Sequence, residues 1–192
     1  MSVGFQKSVS AFVDNGYPGD ISSAQTAVNL YAKGGFAKGT LTVGNACFVV
    51  LTGGQGNQFA AARADAGATA PIAGFIARNQ ALAPWSWANT SQGYSMSIDD
   101  GRQVMPITGG QNILAVITGV DTDGLADHVP LIGEQLYVSE TDGSLACAPL
   151  SVATVTGYVK ATGWTVSKTG LLTPATVGAN QSFCAFSGLL TA

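Results

Sequence analysis

The residues able to do chemistry are few, and their spacing decides what each could do. The single histidine is His128, in the stretch DTDGLADHVPL. A Ser–His–acid triad would have to use it, yet no G-x-S-x-G nucleophile turn accompanies it. His128 therefore reads as a loop residue leading into the next strand. Asp121 and Asp123 in the same stretch offer oxygen to a hard cation. An EF-hand loop needs Gly at its sixth position and Glu at its twelfth. Counted from Asp121, Gly124 comes too early and Ile132 stands where the Glu should be. The expectation is a solvated turn with Asx-type backbone bonds, and at most an incidental ion at Asp121 and Asp123.

Cys47, Cys147 and Cys184 each lie in an apolar run: NACFVVL, LACAPL and SFCAFSG. The number is odd and no C-x-x-C spacing appears, so neither a disulfide framework nor a zinc site is expected. They read as buried small hydrophobes. KGGFAKGT (33–40) and GGQGNQF (53–59) are rich in Gly but lack the spacing of a phosphate-cradling loop, and read as turns. Trp85, Trp87 and Tyr94 cluster in APWSWANTSQGY (83–94). Trp85 and Trp87 would share one face of a strand. They suit a buried or interfacial anchor, or a sugar-stacking platform. No carboxylate pair stands out for glycoside chemistry. The chain is poor in acid–base and nucleophilic groups, and no enzyme, metal or cofactor is expected.

The elements that hold these residues are mostly strands. TLTVGNACFVVLT (40–52) is rich in β-branched and aromatic residues. PIAGFIARN (71–79) reads as a strand whose Gly74 marks a bulge. GYSMSIDDGRQVMPI (93–107) reads as two strands around Asp99-Asp100-Gly101. NILAVITGV (112–120) is apolar on both faces, as a strand between two layers would be. GEQLYVSETDGSLACAP (133–149) is the clearest hairpin, with Asp142-Gly143 as its turn and Leu136 and Val138 on one face. VATVTGYVKATGWTVS (152–167) and NQSFCAFSGLL (180–190) complete the set. The best helix candidate is NQFAAARADAGATA (57–70), which reads equally as a loop because Gly67, Thr69 and Pro71 end it quickly. The pattern predicts an all-β protein, a jelly-roll-like β-sandwich or barrel over 39–192. An extended irregular arm, 1–38, precedes it. Phe5, Val9, Phe12 and Tyr17 are scattered there among Ser, Gly and Asn.

Composition narrows the partners. Charged residues make up 10% of the chain and hydrophobic ones 46%, where an ordinary domain carries about 25% charged. A surface so short of charge suits contact with other subunits. The net charge is −3, and the 8 Lys and Arg form no stripe. Nucleic-acid and membrane-surface binding are disfavoured on that ground. The apolar runs ACFVVL and ILAVITGV are too short to span a bilayer. The first residues lack the pattern of a secretory signal, so synthesis in a cytoplasm is expected.

Several stretches together resemble the structural cement proteins of tailed bacteriophages. YPGDISSAQTAVNLYAKGGFAKGTLTVGNACFVV (17–50) is similar to that family's N-terminal region, with its P-G-D turn, Gly-rich segment and T-V-G. PIAGFIARNQALAPW (71–85) resembles its G-F-V-x-R strand, and IGEQLYVSETDGSLACAP (132–149) its V-G-x-x-V-Y hairpin. The family often has Arg and an aromatic after V-G; this chain has Asn45, Ala46, Cys47 and Phe48. The resemblance implies a minor capsid protein on the outer surface of a phage head, made in the host bacterial cytoplasm. It would clamp neighbouring major capsid subunits, commonly as a homotrimer, with a sandwich or barrel body and no cofactor. Phe5, Val9, Phe12, Tyr17, Trp85 and Trp87 are then the candidate protein contacts. The alternative is a tail- or fibre-associated receptor or carbohydrate binder that uses Trp85, Trp87 and Tyr94.

Overall fold

The computed structural model describes residues 16–21, 29–30, 34–51, 57–78, 97–171, 173 and 176–189. The strands are β1 (Asn29–Leu30), β2 (Gly35–Lys38), β3 (Leu41–Thr42), β4 (Ala46–Val49) and β5 (Gln58–Ala60). After the short helix α1 (Arg63–Ala66) come β6 (Ile72–Phe75), β7 (Ser97–Ile98), β8 (Gln103–Val104) and β9 (Ile107–Val120). The last are β10 (Ala126–His128), β11 (Gln135–Ser139), β12 (Leu145–Ala148), β13 (Tyr158–Lys168) and β14 (Gln181–Leu189). The all-β expectation holds.

The long strand β9 organises the molecule. It pairs antiparallel with β14, which pairs with β13, then β11, then β12, and β12 returns to β9 in parallel. That ring is a closed barrel, which leaves its member strands no open edge against each other. The other end of β9 meets β6, and from there the sheet runs outward through β4, β5, β2 and β8. NILAVITGV is buried on both faces, as its pattern predicts. Ile113, Ala115 and Ile117 face the main core, and Leu114 packs with Phe183 and Ala185 on the opposite face.

The hairpin is as read. Leu136 opposes Cys147 and Val138 opposes Leu145, and all four enter the main core. The bulge expected at Gly74 is also present, since Cys47 pairs with Gly74 and Phe48 with Ile72. Four local readings change. His128, read as a loop residue, ends strand β10, which pairs with β9. The helix expected over 57–70 shrinks to α1, because Gln58–Ala60 pairs with β4 and β2 instead. KGGFAKGT holds β2, whose Gly35 lies too close to the Asn57 carbonyl for any side chain to fit between them. The strands flanking Asp99-Asp100-Gly101 do not pair together; β7 joins β3 and β8 joins β2.

Two features fix the barrel. Opposite β11, strand β13 bulges between Lys160 and Thr165. Buried Gln135 fills the gap, its amide Nε2 donating to the carbonyls of Ala161 at 2.7 Å and Trp164 at 2.9 Å. A side chain thus replaces the lost ladder bonds and spares two buried carbonyls. Where the barrel meets the outer sheet, Trp164 packs edge-on to Phe75 at 4.6 Å between ring centroids, and Phe186 closes the group. All three rings are fully buried.

Candidate functional site

The stretches that carry the family resemblance are far apart in sequence and meet at one place. The Tyr17-Pro18-Gly19-Asp20 turn lies on β9. Gly19 N–H donates to the Leu114 carbonyl at 2.7 Å, Leu114 N–H donates to the Asp20 carbonyl at 2.9 Å, and Ile21 bridges to Ile113. Arg78, just past β6, ties the turn down from the other side. Its N–H donates to the Gly19 carbonyl at 2.9 Å, and its guanidinium pairs with Asp20 at 3.2 Å. The guanidinium also lies over the Tyr17 ring, 4.6 Å from the centroid. Both ion-pair side chains are mostly buried, at 13% and 16% exposure, so water screens them little.

This clasp needs two glycines. Gly19 has φ +84, and a Cβ there would sit 2.4 Å from Val43 Cγ1 and 2.8 Å from the Arg78 nitrogen. Gly44 has φ +87, and its Cβ would meet Pro18 at 2.5 Å. The P-G-D turn and the T-V-G segment therefore interlock, each glycine leaving room for a side chain of the other segment, Val43 at Gly19 and Pro18 at Gly44. The hairpin joins the same region, since Ala46 N–H donates to the Gly143 carbonyl at 2.8 Å and Arg63 pairs with Glu140. Gly19→Ala should cost ~1–3 kcal/mol through strain at a left-handed position. Amide exchange at Gly19, Arg78 and Leu114 should quicken while β11 stays protected. Unchanged exchange at those three amides would refute the clasp.

A second cluster sits at the head of the hairpin. His128 ends β10, Glu134 precedes β11 and Cys147 lies on β12. Glu134 Oε1 is 2.8 Å from His128 Nε2. Its Oε2 accepts from the Leu131 N–H at 2.9 Å and from the Cys147 thiol at 3.0 Å. Glu134 and Cys147 are buried, while the His128 side chain is a quarter exposed. Burial, reinforced by the Glu134 charge, pushes the Cys147 thiol far up from its ordinary range. Cys184 is pushed up to about 11, mainly by burial. A carboxylate thus stands between the imidazole and a protonated thiol. That order does not make the thiolate a cysteine nucleophile needs.

Among solved structures, the chain is similar to one titled "The capsid of Myoviridae Phage XM1". The TM-score is 0.49 and the identity 17%, over 94% of this chain and 96% of that one. A likeness of that size carries no argument. No family model matches the chain, and no curated protein does.

Of the candidate contact residues, Tyr17 is in the clasp, half-buried beneath Arg78. Phe5, Val9, Phe12, Trp85 and Trp87 lie outside the described residues, as does Tyr94. Asp121 forms the expected Asx-type turn: its Oδ1 accepts from the N–H groups of Asp123 at 3.0 Å and Leu125 at 2.9 Å. All three cysteines are buried, as read. Sequence reasoning missed the partnership of His128, Glu134 and Cys147. The Asp142-Gly143 turn sets Cys147 beside the strand that Glu134 precedes, but nothing local brings His128 to them. It also missed an apolar rim: Leu125, Val129, Leu131 and Ile132 are all more than half exposed along one connection.

Proposed function

We propose that this chain is a non-enzymatic virion structural protein, a cement protein of a tailed-phage head. In this reading it sits on the outer surface of the shell and clamps neighbouring major capsid subunits, as a homotrimer. It is made in the host bacterial cytoplasm. The observation that carries the reading is the clasp. The stretches resembling the cement family are not scattered likenesses; Pro18, Gly19, Val43, Gly44 and Arg78 hold one another. What resembles the family is a unit of structure.

Of the expected arm 1–38, residues 29–30 and 35–38 pair within the sheet as β1 and β2, so the proposed contact element is the segment that leads up to the clasp. The clasp at Tyr17–Ile21 fixes one point on β9, and Phe5, Val9 and Phe12 precede that point. Spaced apolar residues on such a segment can dock on a neighbouring chain, and a lattice of many copies outweighs the ordering entropy of each. Trp85 and Trp87 are proposed as further anchors. The exposed Leu125, Val129, Leu131 and Ile132 suit the same role, because exposed apolar patches mark interaction surfaces.

The test is co-sedimentation of the purified chain with expanded heads that lack it, across a range of salt. Saturable binding at a fixed ratio to the major capsid protein is expected. It should persist at high salt, since few charges are available to be screened. A folded protein that does not bind heads would end the cement reading and favour a glycan-binding role for Trp85, Trp87 and Tyr94.

A further inference from the structure

We propose that His128, Glu134 and Cys147 form a site for a zinc-like divalent cation. Their ligand atoms, an imidazole nitrogen, a carboxylate oxygen and a thiol sulfur, all lie within 4.8 Å of one another. The inference is independent of the capsid reading.

The donor set selects the ion. One sulfur, one nitrogen and one oxygen suit borderline-soft zinc, whereas calcium and magnesium take oxygen shells. Three protein ligands leave the fourth tetrahedral position to water. Bond lengths of about 2.0–2.3 Å place tetrahedral ligands roughly 3.3–3.7 Å apart. Here Glu134 lies 2.8 Å from His128 Nε2 and 3.0 Å from Cys147 Sγ. Those two contacts are made by different Glu134 oxygens, Oε1 and Oε2, and each would lengthen by about half an ångström around an ion, while the widest ligand pair, within 4.8 Å, would close by about 1 Å.

Each ligand also has support behind it. The second His128 nitrogen, Nδ1, lies 3.6 Å from the Asp127 carboxylate, longer than a hydrogen bond but close enough for a small side-chain rotation to make the bond that orients a metal-binding imidazole. Glu134 Oε2 is held by the Leu131 N–H at 2.9 Å. Cys147 is anchored in the β11–β12 ladder opposite Leu136. The quarter-exposed His128 edge gives the ion a way in. On binding, the Cys147 S–H bond breaks and the proton leaves to solvent. The thiolate electron pair and the Nε2 lone pair then bond the cation, while any proton on Nε2 moves to Nδ1. The bound ion would tie the exposed 125–132 connection to the barrel wall.

The test uses the full chain, stripped with a chelator under reducing conditions and titrated with Co²⁺. One equivalent should give a thiolate-to-cobalt charge-transfer band, Zn²⁺ should bleach it by competition, and Zn²⁺ should raise the melting temperature. Cys147→Ser should abolish the band. His128→Ala, at the partly exposed edge, should keep the fold by circular dichroism. It should weaken Co²⁺ binding by more than ~100-fold, since even loss of an outer-shell partner costs 10–100-fold. A folded wild-type chain that shows no band in excess Co²⁺ overturns the site and leaves a self-satisfied hydrogen-bond cluster. So does a band that survives in either variant at unchanged affinity. If Cys147→Ser does not fold, His128→Ala decides alone.

Discussion

A chain lacking residues 2–16 should fail to bind expanded heads while melting at the same temperature as the full chain. The deletion removes Phe5, Val9 and Phe12 and stops just before the clasp. The clasp keeps its own bonds: Gly19 and Asp20 to Leu114, and Arg78 to Gly19 and Asp20. The barrel core draws on β9 and strands that follow it, joined by β4 and β6. If the deleted residues dock on a neighbour, binding disappears and stability stays. If they cover this chain's own sandwich, the product melts lower or does not fold, and the arm loses its proposed role. Co-sedimentation and differential scanning calorimetry on the same preparation separate the outcomes.

Trp164→Ala should destabilise the protein by ~3 kcal/mol or more. Truncating a buried Trp costs ~3–5 kcal/mol, as lost transfer energy plus an unfilled cavity. The value falls toward the lower end because the indole Nε1 is buried with no hydrogen-bond partner. That orphan donor already costs ~1–3 kcal/mol in the native protein, and the substitution removes it. In a chain of this size, 3 kcal/mol lowers the melting temperature by about 6–12 °C. Trp164→Phe separates the two effects, since it keeps a ring against Phe75 and Phe186 and drops the N–H. It should lose less than Trp164→Ala. Urea melts that place Trp164→Ala within 1 kcal/mol of the wild type would show that Trp164 does not hold the barrel to the outer sheet.

The hairpin, the strand buried on both faces and the Gly74 bulge were legible because each is a local pattern with one physical cause. Asp142-Gly143 supplies the positive φ of a tight turn, and NILAVITGV has no polar face to give to water. The errors came where pairing is decided at a distance. QFA could join either a helix or a sheet, and the edges offered by β4 and β2 settle it. The turn at 99–101 was found, but its flanking strands take partners fixed elsewhere by β2 and β3. The clasp was legible only as four motifs; nothing local says that Gly19 touches Val43. The His128 cluster was hidden for a related reason. Spacing rules for metal sites assume ligands on one loop or helix, and here they come from β10, the approach to β11, and β12.

The clasp fastens to Leu114 and Ile113, and those residues belong to the strand that β14 and β12 also share. A pull on the arm is therefore delivered along β9, not to a loose flap. Its bonds to β14 run from Gln181↔Thr118 to Leu189↔Gly109 and would be loaded in shear, so they must give way together rather than unzip in turn. An arm that grips a neighbour is then anchored in the part of the molecule least able to yield. If the chain cements a phage head as proposed, tension across a swelling shell would be carried through the barrel as through a rivet.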